Sequence, residues 1–177
     1  MVIIMTTSAF FDTLTSIVTD LSRDLPAERR YRNLLEALLK LFPCDAAALL
    51  KLEGKQLRPL AFEGLSPDTL GRRFEVAEHP RLARVLHARD PIRFEAGSTL
   101  PDPYDGLVDN QDLQLHVHDC MGVSLYIDDL PWGVLTLDAM DPGSFDSIDP
   151  VALRTFIRLT EATVKAADRM DALSAKA

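Results

Sequence analysis

The stretch HVHDCMGVSLYIDDLPWGVLTLDAM, residues 116–140, decides the fold because two apolar runs surround a single turn. Both runs are rich in β-branched and large apolar side chains and flank DDLPWG, a pattern that predicts a β-hairpin. Because side chains alternate across a strand, His116, His118 and Cys120 are expected on one face of its first strand. If DDL closes the hairpin symmetrically, Cys120 lies opposite Asp138, with about 5 Å between their Cβ atoms.

Amphipathic helices are predicted on both sides of this hairpin, because apolar residues there recur every three or four positions. The N-terminal helices occupy residues 8–42, and the C-terminal helix, 149–173, starts with Asp149 as its N-cap and Pro150 in its first turn. Between residues 45 and 140 we predict two strands, a short helix, a short strand, a long ligand loop and the hairpin. This order indicates an α+β fold: a central antiparallel sheet flanked by helices, with the amphipathic N- and C-terminal helices packed together.

Length and composition favour a single folded domain over residues 1–177, since hydrophobic residues make up 47% of the chain. The formal net charge of -8 argues against binding of nucleic acid by this chain. There is no run of about 18 apolar residues, so no membrane span is expected. Cys44 and Cys120 alone do not make a disulfide framework, and the start of the chain does not resemble a signal peptide. We therefore predict a cytoplasmic location.

Residues 95–112, EAGSTLPDPYDGLVDNQD, follow neither helical nor strand periodicity and are predicted to form a long acidic loop. Loops of this length within a compact domain are usually functional or disordered. This loop brings Asp102 and Asp105 close in sequence to the hairpin. There, Asp138 ends an apolar run, where a carboxylate is costly unless it is paired.

The imidazoles, the thiol and the carboxylates form a mixed set of nitrogen, sulfur and oxygen ligands. Such a set differs from the cysteine-rich sets of structural zinc and suits a mononuclear ferrous ion, with zinc as the usual competitor. The alternative is that His116, His118 and Cys120 only pack in the core and on the strand surface. Because the sequence has no phosphate-binding loop, no G-x-S-x-G, no H-E-x-x-H and no convincing nucleophile–base pair, we do not expect an enzyme.

The order of elements resembles that of a GAF domain, a small-molecule sensor fold. Within that fold, the sequence more closely resembles the N-terminal regulatory domain of the NorR family, bacterial nitric-oxide-responsive activators of σ54-dependent transcription. The segments that carry this resemblance are CDAAALL (44–50), FEGLSPDTLGRRF (62–74), HPRL (79–82), LPDPYDGL (100–107), HDC (118–120) and GVLTLDAM (133–140). The resemblance covers nearly the whole chain, and LPDPYDGL is not a general GAF feature.

The resemblance implies a mononuclear non-haem iron, Fe(2+), with nitric oxide as the signalling ligand. The metal ligands that it implies are Asp102, Asp105, His118, Cys120 and Asp138. It further implies that three residues lie beside these ligands or beside bound nitric oxide: Arg81, Tyr104 and His116. Because a guanidinium is cationic and has no available lone pair, Arg81 is expected to hold a carboxylate or approach the bound nitric oxide without coordinating iron. His116 competes with His118 as the histidine ligand.

Proteins of the NorR family continue into an AAA+ ATPase module and a DNA-binding helix–turn–helix, which this sequence does not contain. The resemblance therefore implies a regulatory domain that binds a ligand without catalysis. Its implied partners are nitric oxide, the AAA+ ATPase domain of the same full-length protein, and a second copy in a homodimer formed through the terminal helices.

Two alternatives stand beside this interpretation. One is a GAF module that binds a cyclic nucleotide or another small organic ligand. Phe145 and Asp149 match part of the second-messenger GAF signature, but Pro150 replaces its Glu and the Asn-Lys pair is missing. The other alternative is a domain that acts only as a dimerisation scaffold.

Overall fold

The computed structural model of the chain describes residues 6–104 and 119–177. These residues form a six-stranded antiparallel sheet with the strand order β3-β2-β1-β6-β5-β4. The strands are β1 (Ala46–Glu53), β2 (Gln56–Glu63), β3 (Phe74–Glu75), β4 (Ile92–Glu95), β5 (Asp119–Ile127) and β6 (Leu130–Ala139). Both predicted hairpins are present. The edge strand β3 was not predicted, because two residues are too few to show an alternating pattern.

Four α-helices flank the sheet: α1 (Thr7–Leu21), α2 (Ala27–Leu41), α3 (Pro80–Leu86) and α4 (Pro150–Ser174). Short 3₁₀ turns lie at Pro67–Gly71, Val76–Glu78 and Ser144–Ser147. The start of α4 agrees with the prediction, since the Asp149 carboxylate accepts hydrogen bonds from the N–H groups of Val151 (2.7 Å) and Ala152 (3.2 Å). This cap satisfies N–H groups that have no partner within the helix. In the described ranges, we find no helix with the length and apolar character needed to cross a membrane.

The sheet separates two layers of buried apolar side chains. On one face, α1, α2 and α4 cover the sheet and bury residues such as Leu35 and Phe156. On the other face, α3 packs over a smaller layer. Alternation along β6 sends Leu135 into the first layer and Val134 into the second, so Asp138 also lies on the α3 side. The α+β prediction, with helices on both faces of an antiparallel sheet, is confirmed.

The β5–β6 hairpin has the predicted register, in which Cys120 pairs with Asp138. Its turn contains Asp128 and Asp129 with φ of 51° and 63°. Two consecutive residues with positive φ are typical of the type I′ turn, whose twist matches that of the flanking strands. This two-residue turn differs from the symmetric closure over DDL that was predicted. A register shift between Leu125 and Tyr126 makes up the difference of one residue, so that Cys120 still pairs with Asp138.

The terminal helices pack together within the chain, as predicted. The buried guanidinium of Arg30, on α2, donates hydrogen bonds to the backbone oxygens of Asp20 (2.8 Å) and Leu25 (3.1 Å). It also lies 3.1 Å from Sδ of Met170 on α4. One side chain thus joins the end of α1, the α1–α2 connection and α4.

Candidate metal centre

Three potential metal ligands meet on the side of the sheet that α3 covers. One ligand atom from each of Asp102, Cys120 and Asp138 lies within 4.8 Å of the others, and Cys120 Sγ is 3.8 Å from Oδ2 of Asp102. Paired strands supply Cys120 and Asp138, whereas Asp102 comes from the segment that follows β4. All three were predicted as ligands from the sequence. Outside the described residues lie three further predicted site residues: Asp105, His116 and His118.

Asp138 places a carboxylate in a position that is only 3% exposed. Its Oδ2 has no hydrogen-bond partner among the described residues. Burial raises the pKa of this carboxyl to about 8, and the negative charge of Asp102 acts in the same direction, whereas Cys120 and Arg81 lower it. Since a buried carboxylate without a partner is costly, a bound cation would provide what this oxygen lacks.

The surroundings of Cys120 also favour its protonated form. Burial raises the pKa of this thiol well above its ordinary value, the carboxylates of Asp138 and Asp102 raise it further, and Arg81 lowers it. A cysteine ligates a metal as the thiolate, so a divalent cation that binds here displaces a proton. Without a cation, Cys120 is a buried neutral thiol.

Arg81, at the start of α3, lies directly beside the cysteine. Its Nη1 donates to Sγ of Cys120 at 3.2 Å, and its Nε donates to the backbone oxygen of Leu100 at 2.9 Å. The guanidinium carbon is 5.1 Å from the ring centroid of Phe94, a cation–π contact. These contacts hold a positive charge beside the acidic cluster, in the position expected for a neighbour of the ligands.

Gly122 allows α3 to come close enough for this contact, and sequence reasoning missed it. A Cβ atom at this glycine would lie 2.3 Å from Cγ2 of Val85 on α3. Two residues further along β5, the Ser124 hydroxyl donates to the backbone oxygen of Leu86 at 3.3 Å. Because Gly122 has no side chain and Ser124 bonds to the end of α3, this helix packs closely on the sheet. The close packing brings Arg81 next to Cys120.

Tyr104 anchors the segment that carries Asp102. The Tyr104 side chain is almost fully buried, and its backbone N–H donates to Oδ1 of Asp102 at 2.9 Å. The hydroxyl of Thr136 donates to the Tyr104 hydroxyl at 3.0 Å, and the Phe74 ring packs against it edge to face at 5.7 Å. Sequence reasoning missed Thr136, although the alternation along β6 puts it on the same face as Asp138.

The described residues leave a cavity beside these groups, with an empty volume of about 270 Å³ including its opening. The lining includes the charged residues Arg81, Asp102 and Asp138 and several apolar ones: Leu82, Val85, Phe94 and Met121. The cavity therefore adjoins the place where the three potential metal ligands meet.

Comparison with known proteins identifies the class to which this fold and site belong. The family model described as the GAF domain matches residues 26–164, and the chain belongs to this family. A structural match supports the fold: the GAF domain of Acinetobacter phosphoenolpyruvate-protein phosphotransferase has a TM-score of 0.74 at 15% sequence identity. The match covers 95% of this chain and 97% of that one.

Relatives with higher sequence identity include NorR regulators, and also the regulatory protein LuxO of Vibrio cholerae, which is 42% identical over 153 residues. The chain is 50% identical over 150 residues to the nitric oxide reductase transcription regulator NorR1 of Cupriavidus necator, covering 84% of this chain and 29% of that protein. It is 45% identical over 138 residues to the anaerobic nitric oxide reductase transcription regulator NorR of Vibrio vulnificus, covering 78% of this chain and 27% of that protein. The predicted resemblance is confirmed, and the chain spans less than a third of the length of either regulator.

Proposed function

We propose that this chain is the nitric-oxide-sensing regulatory domain of a σ54-dependent transcription activator, and that it senses through one non-haem ferrous ion. The observation that carries this proposal is the convergence of Asp102, Cys120 and Asp138 around a buried carboxylate oxygen of Asp138 that no described residue bonds. Identity to NorR regulators over most of the chain supports it independently. The domain regulates and does not catalyse a reaction.

The described residues fit such an ion chemically. Two carboxylates and one thiol, with Asp105 and His118 as the further ligands we propose, make the mixed oxygen, sulfur and nitrogen set that ferrous iron accepts. Ferrous iron, when bound, supplies a coordination position at which nitric oxide binds. Zinc is the competitor that the same side chains would also hold.

The chain's own residues prepare the site for a cation and limit what else enters. Arg81 offsets part of the negative charge of the two carboxylates and holds the segment near Leu100 through a hydrogen bond. The apolar walls near Val85 and Phe94 leave room for a molecule of a few atoms. Tyr104 keeps the Asp102 carboxylate turned towards Cys120.

Regulation follows if ligand binding changes the preferred position of the segment that carries Asp102 and Asp105. That segment enters the site from outside the sheet, so it can shift while the paired strands of Cys120 and Asp138 keep their register. We propose that this shift weakens repression of an AAA+ ATPase domain attached in the full-length protein. The size of the effect is limited by the difference in ligand affinity between the two states.

We also propose that the domain forms a homodimer through its terminal helices and works in the cytoplasm. Phe11 and Val18 lie seven residues apart on α1, and their exposed fractions are 59% and 51%. Residues at this spacing share one helix face, so they form an apolar strip that residues 6–104 and 119–177 leave exposed. The net charge of -8 fits a domain that does not bind DNA directly.

The decisive experiment is anaerobic reconstitution with ferrous iron, followed by metal quantification and EPR after addition of nitric oxide. We expect one iron per chain and the EPR signal that nitric oxide gives with mononuclear ferrous iron. Cys120→Ala and Asp138→Ala should lose both. The matched controls Cys44→Ala and Asp12→Ala, which change a second cysteine and an exposed acid of α1, should keep both. Equal iron and signal in all four variants would reject the site.

A further inference from the structure

Another acidic residue, Asp119, directly precedes Cys120 in β5 but is not one of the proposed metal ligands. Its side chain is fully buried, and both carboxylate oxygens are used. Arg93, on β4, donates from Nε to Oδ1 at 2.8 Å and from Nη2 to Oδ2 at 2.7 Å. The backbone N–H of Phe145 donates to Oδ2 at 3.0 Å. This paired, two-bond geometry is the most directional contact that arginine makes with a carboxylate.

The ion pair spans the strand pair that carries the cysteine. In the β4–β5 register Phe94 pairs with Cys120, Arg93 pairs with Met121, and Glu95 pairs with Asp119. Arg93 and Asp119 are therefore diagonal neighbours that straddle the Phe94–Cys120 pair. Since neighbouring residues of a strand point to opposite faces, this bridge lies on the face opposite Cys120.

Because of this location, the ion pair affects the position of both Cys120 on β5 and Phe94 on β4. It fixes the backbone of β5 at the residue before Cys120, which sets the direction of Sγ towards Asp102 and Asp138. It also fixes β4 beside Phe94, whose ring lies under the Arg81 guanidinium. A one-residue slip of β4 would exchange the faces of all its side chains, and the diagonal bridge opposes such a slip.

Stability alone is a weak explanation for this arrangement. Asp119 is fully buried and Arg93 is 25% exposed, and a pair that removes a charge from water contributes little net stability compared with well-packed apolar residues. What it provides is a fixed distance and orientation. The third arm of Arg93, Nη1, reaches Asp146 at 2.7 Å in the exposed turn Ser144–Ser147, so the bridge is tied to the connection that leads into α4.

We propose that Arg93 and Asp119 are positioning residues of the metal centre, which hold Cys120 in the orientation needed for ligation. This inference rests on the proposed function, since it assumes that a cation binds at Cys120. Arg93 and Asp119 do not coordinate the metal in this proposal. They act through the backbone of β5 and through the β4–β5 register.

The test is an anaerobic titration of the 177-residue chain with Co(2+), in which the thiolate-to-cobalt absorption reports ligation by Cys120. Arg93→Met keeps the aliphatic stem and removes the bidentate fork, and Asp119→Asn removes the charge at nearly constant size. For both we expect cobalt affinity about 10–100-fold lower, the usual effect of losing a group that orients a metal ligand, and a weaker band per bound cobalt. Asp146→Asn, which removes only the exposed arm, should behave like the unchanged chain.

Thermal unfolding of the metal-free proteins shows whether each variant is folded. A loss of cobalt affinity in a folded variant can then be assigned to positioning and not to a loss of stability. If Arg93→Met and Asp119→Asn fold and bind cobalt with unchanged affinity and band intensity, the inference is wrong. If either variant fails to fold, Arg93→Lys decides the question, because it keeps the charge and loses the fork; unchanged binding there also overturns the inference. If the unchanged chain gives no thiolate band, the proposed function fails first, and the inference fails with it.

Discussion

Cys120 and Asp138 lie directly opposite each other on paired strands, with their side chains on the face of the sheet that α3 covers. Backbone hydrogen bonds on either side of this pair fix the separation of the thiol and the carboxylate before any cation arrives. Asp102 is different, since it reaches the pair from a segment outside the sheet. The candidate centre thus combines two residues whose positions the sheet fixes with one that a segment outside the sheet supplies.

The buried carboxyl of Asp138 should make the metal-free chain less stable as the pH rises. Burial raises its pKa from an ordinary value of 3.8 to about 8, so between these values the folded chain binds more protons than the unfolded chain. The stability that this proton contributes is complete below about pH 4 and is lost as the pH rises through about 8. The cost is up to about 1.4 kcal/mol per pH unit. Urea unfolding between pH 5 and 8 measures this slope.

The control for that slope is Asp138→Asn, which has no proton to release. We expect its stability to change much less over the same range and to exceed that of the unchanged chain at pH 8. The same variant should lose metal binding, because an amide replaces the anionic ligand. An equal slope in both proteins would show that Asp138 does not control the pH dependence.

Arg81 should change the pH dependence of metal binding. Its positive charge lowers the pKa of both Cys120 and Asp138, and it also repels an incoming cation. In Arg81→Met the repulsion is lost while protons compete better, so we expect cobalt affinity to fall more steeply with decreasing pH than in the unchanged chain. Cobalt titrations at several pH values measure this slope. A change in affinity that is constant with pH would point instead to the lost repulsion or to a loss of geometry around Leu100.

The positions in this site that were predictable from sequence are those governed by strand alternation and hairpin closure. Cys120 and Asp138 fall into this group, although the closure of the hairpin differs from the predicted one. A symmetric closure over DDL was expected, and the structure reaches the same pairing with a two-residue turn and a register shift between Leu125 and Tyr126. The contact between Arg81 and Cys120 could not be derived in this way. It depends on how closely α3 approaches β5, a distance set by Gly122 and by no periodic pattern.

The contacts that anchor the segment with Asp102 could not be predicted from sequence patterns either. Tyr104 packs against Phe74, which lies on the two-residue strand β3 at the far edge of the sheet. The ion pair of Arg93 with Asp119 depends on the diagonal register of β4, a strand of four residues. Both contacts join segments distant in sequence through elements too short to leave a periodic signal.

The close packing of α3 on the sheet makes Gly122→Ala destabilising. The added methyl group would overlap Val85, since the nearest side-chain carbon is 2.3 Å from the ideal Cβ position. Overpacking of this kind costs about 1–3 kcal/mol. We expect urea unfolding to show such a loss, together with a weaker cobalt band as α3 and Arg81 move away from Cys120.

A second substitution tests the cause of that loss. Val85→Ala removes the atoms that the new methyl group would meet, so the double variant should be more stable than the sum of the two single effects predicts. The interaction free energy from this double-mutant cycle should be at least about 0.5 kcal/mol. Additive effects would mean that Gly122 is required for another reason, such as the conformation of β5.

The exposed strip on α1 leads to a prediction about assembly. Phe11→Asp and Val18→Asp place charges on a face that the described part of the chain leaves exposed, so the fold should persist while a dimer built on this face dissociates. Leu14→Asp is a poor test of assembly, because Leu14 is buried in the chain's own core and a charge there would unfold it. Leu130→Asp is the matched control, since Leu130 is 70% exposed at the hairpin turn, outside the α1 face that is tested. Sedimentation at micromolar concentration should give monomers for the first two variants and a dimer for the control, and dimers in every variant would place the interface on another surface.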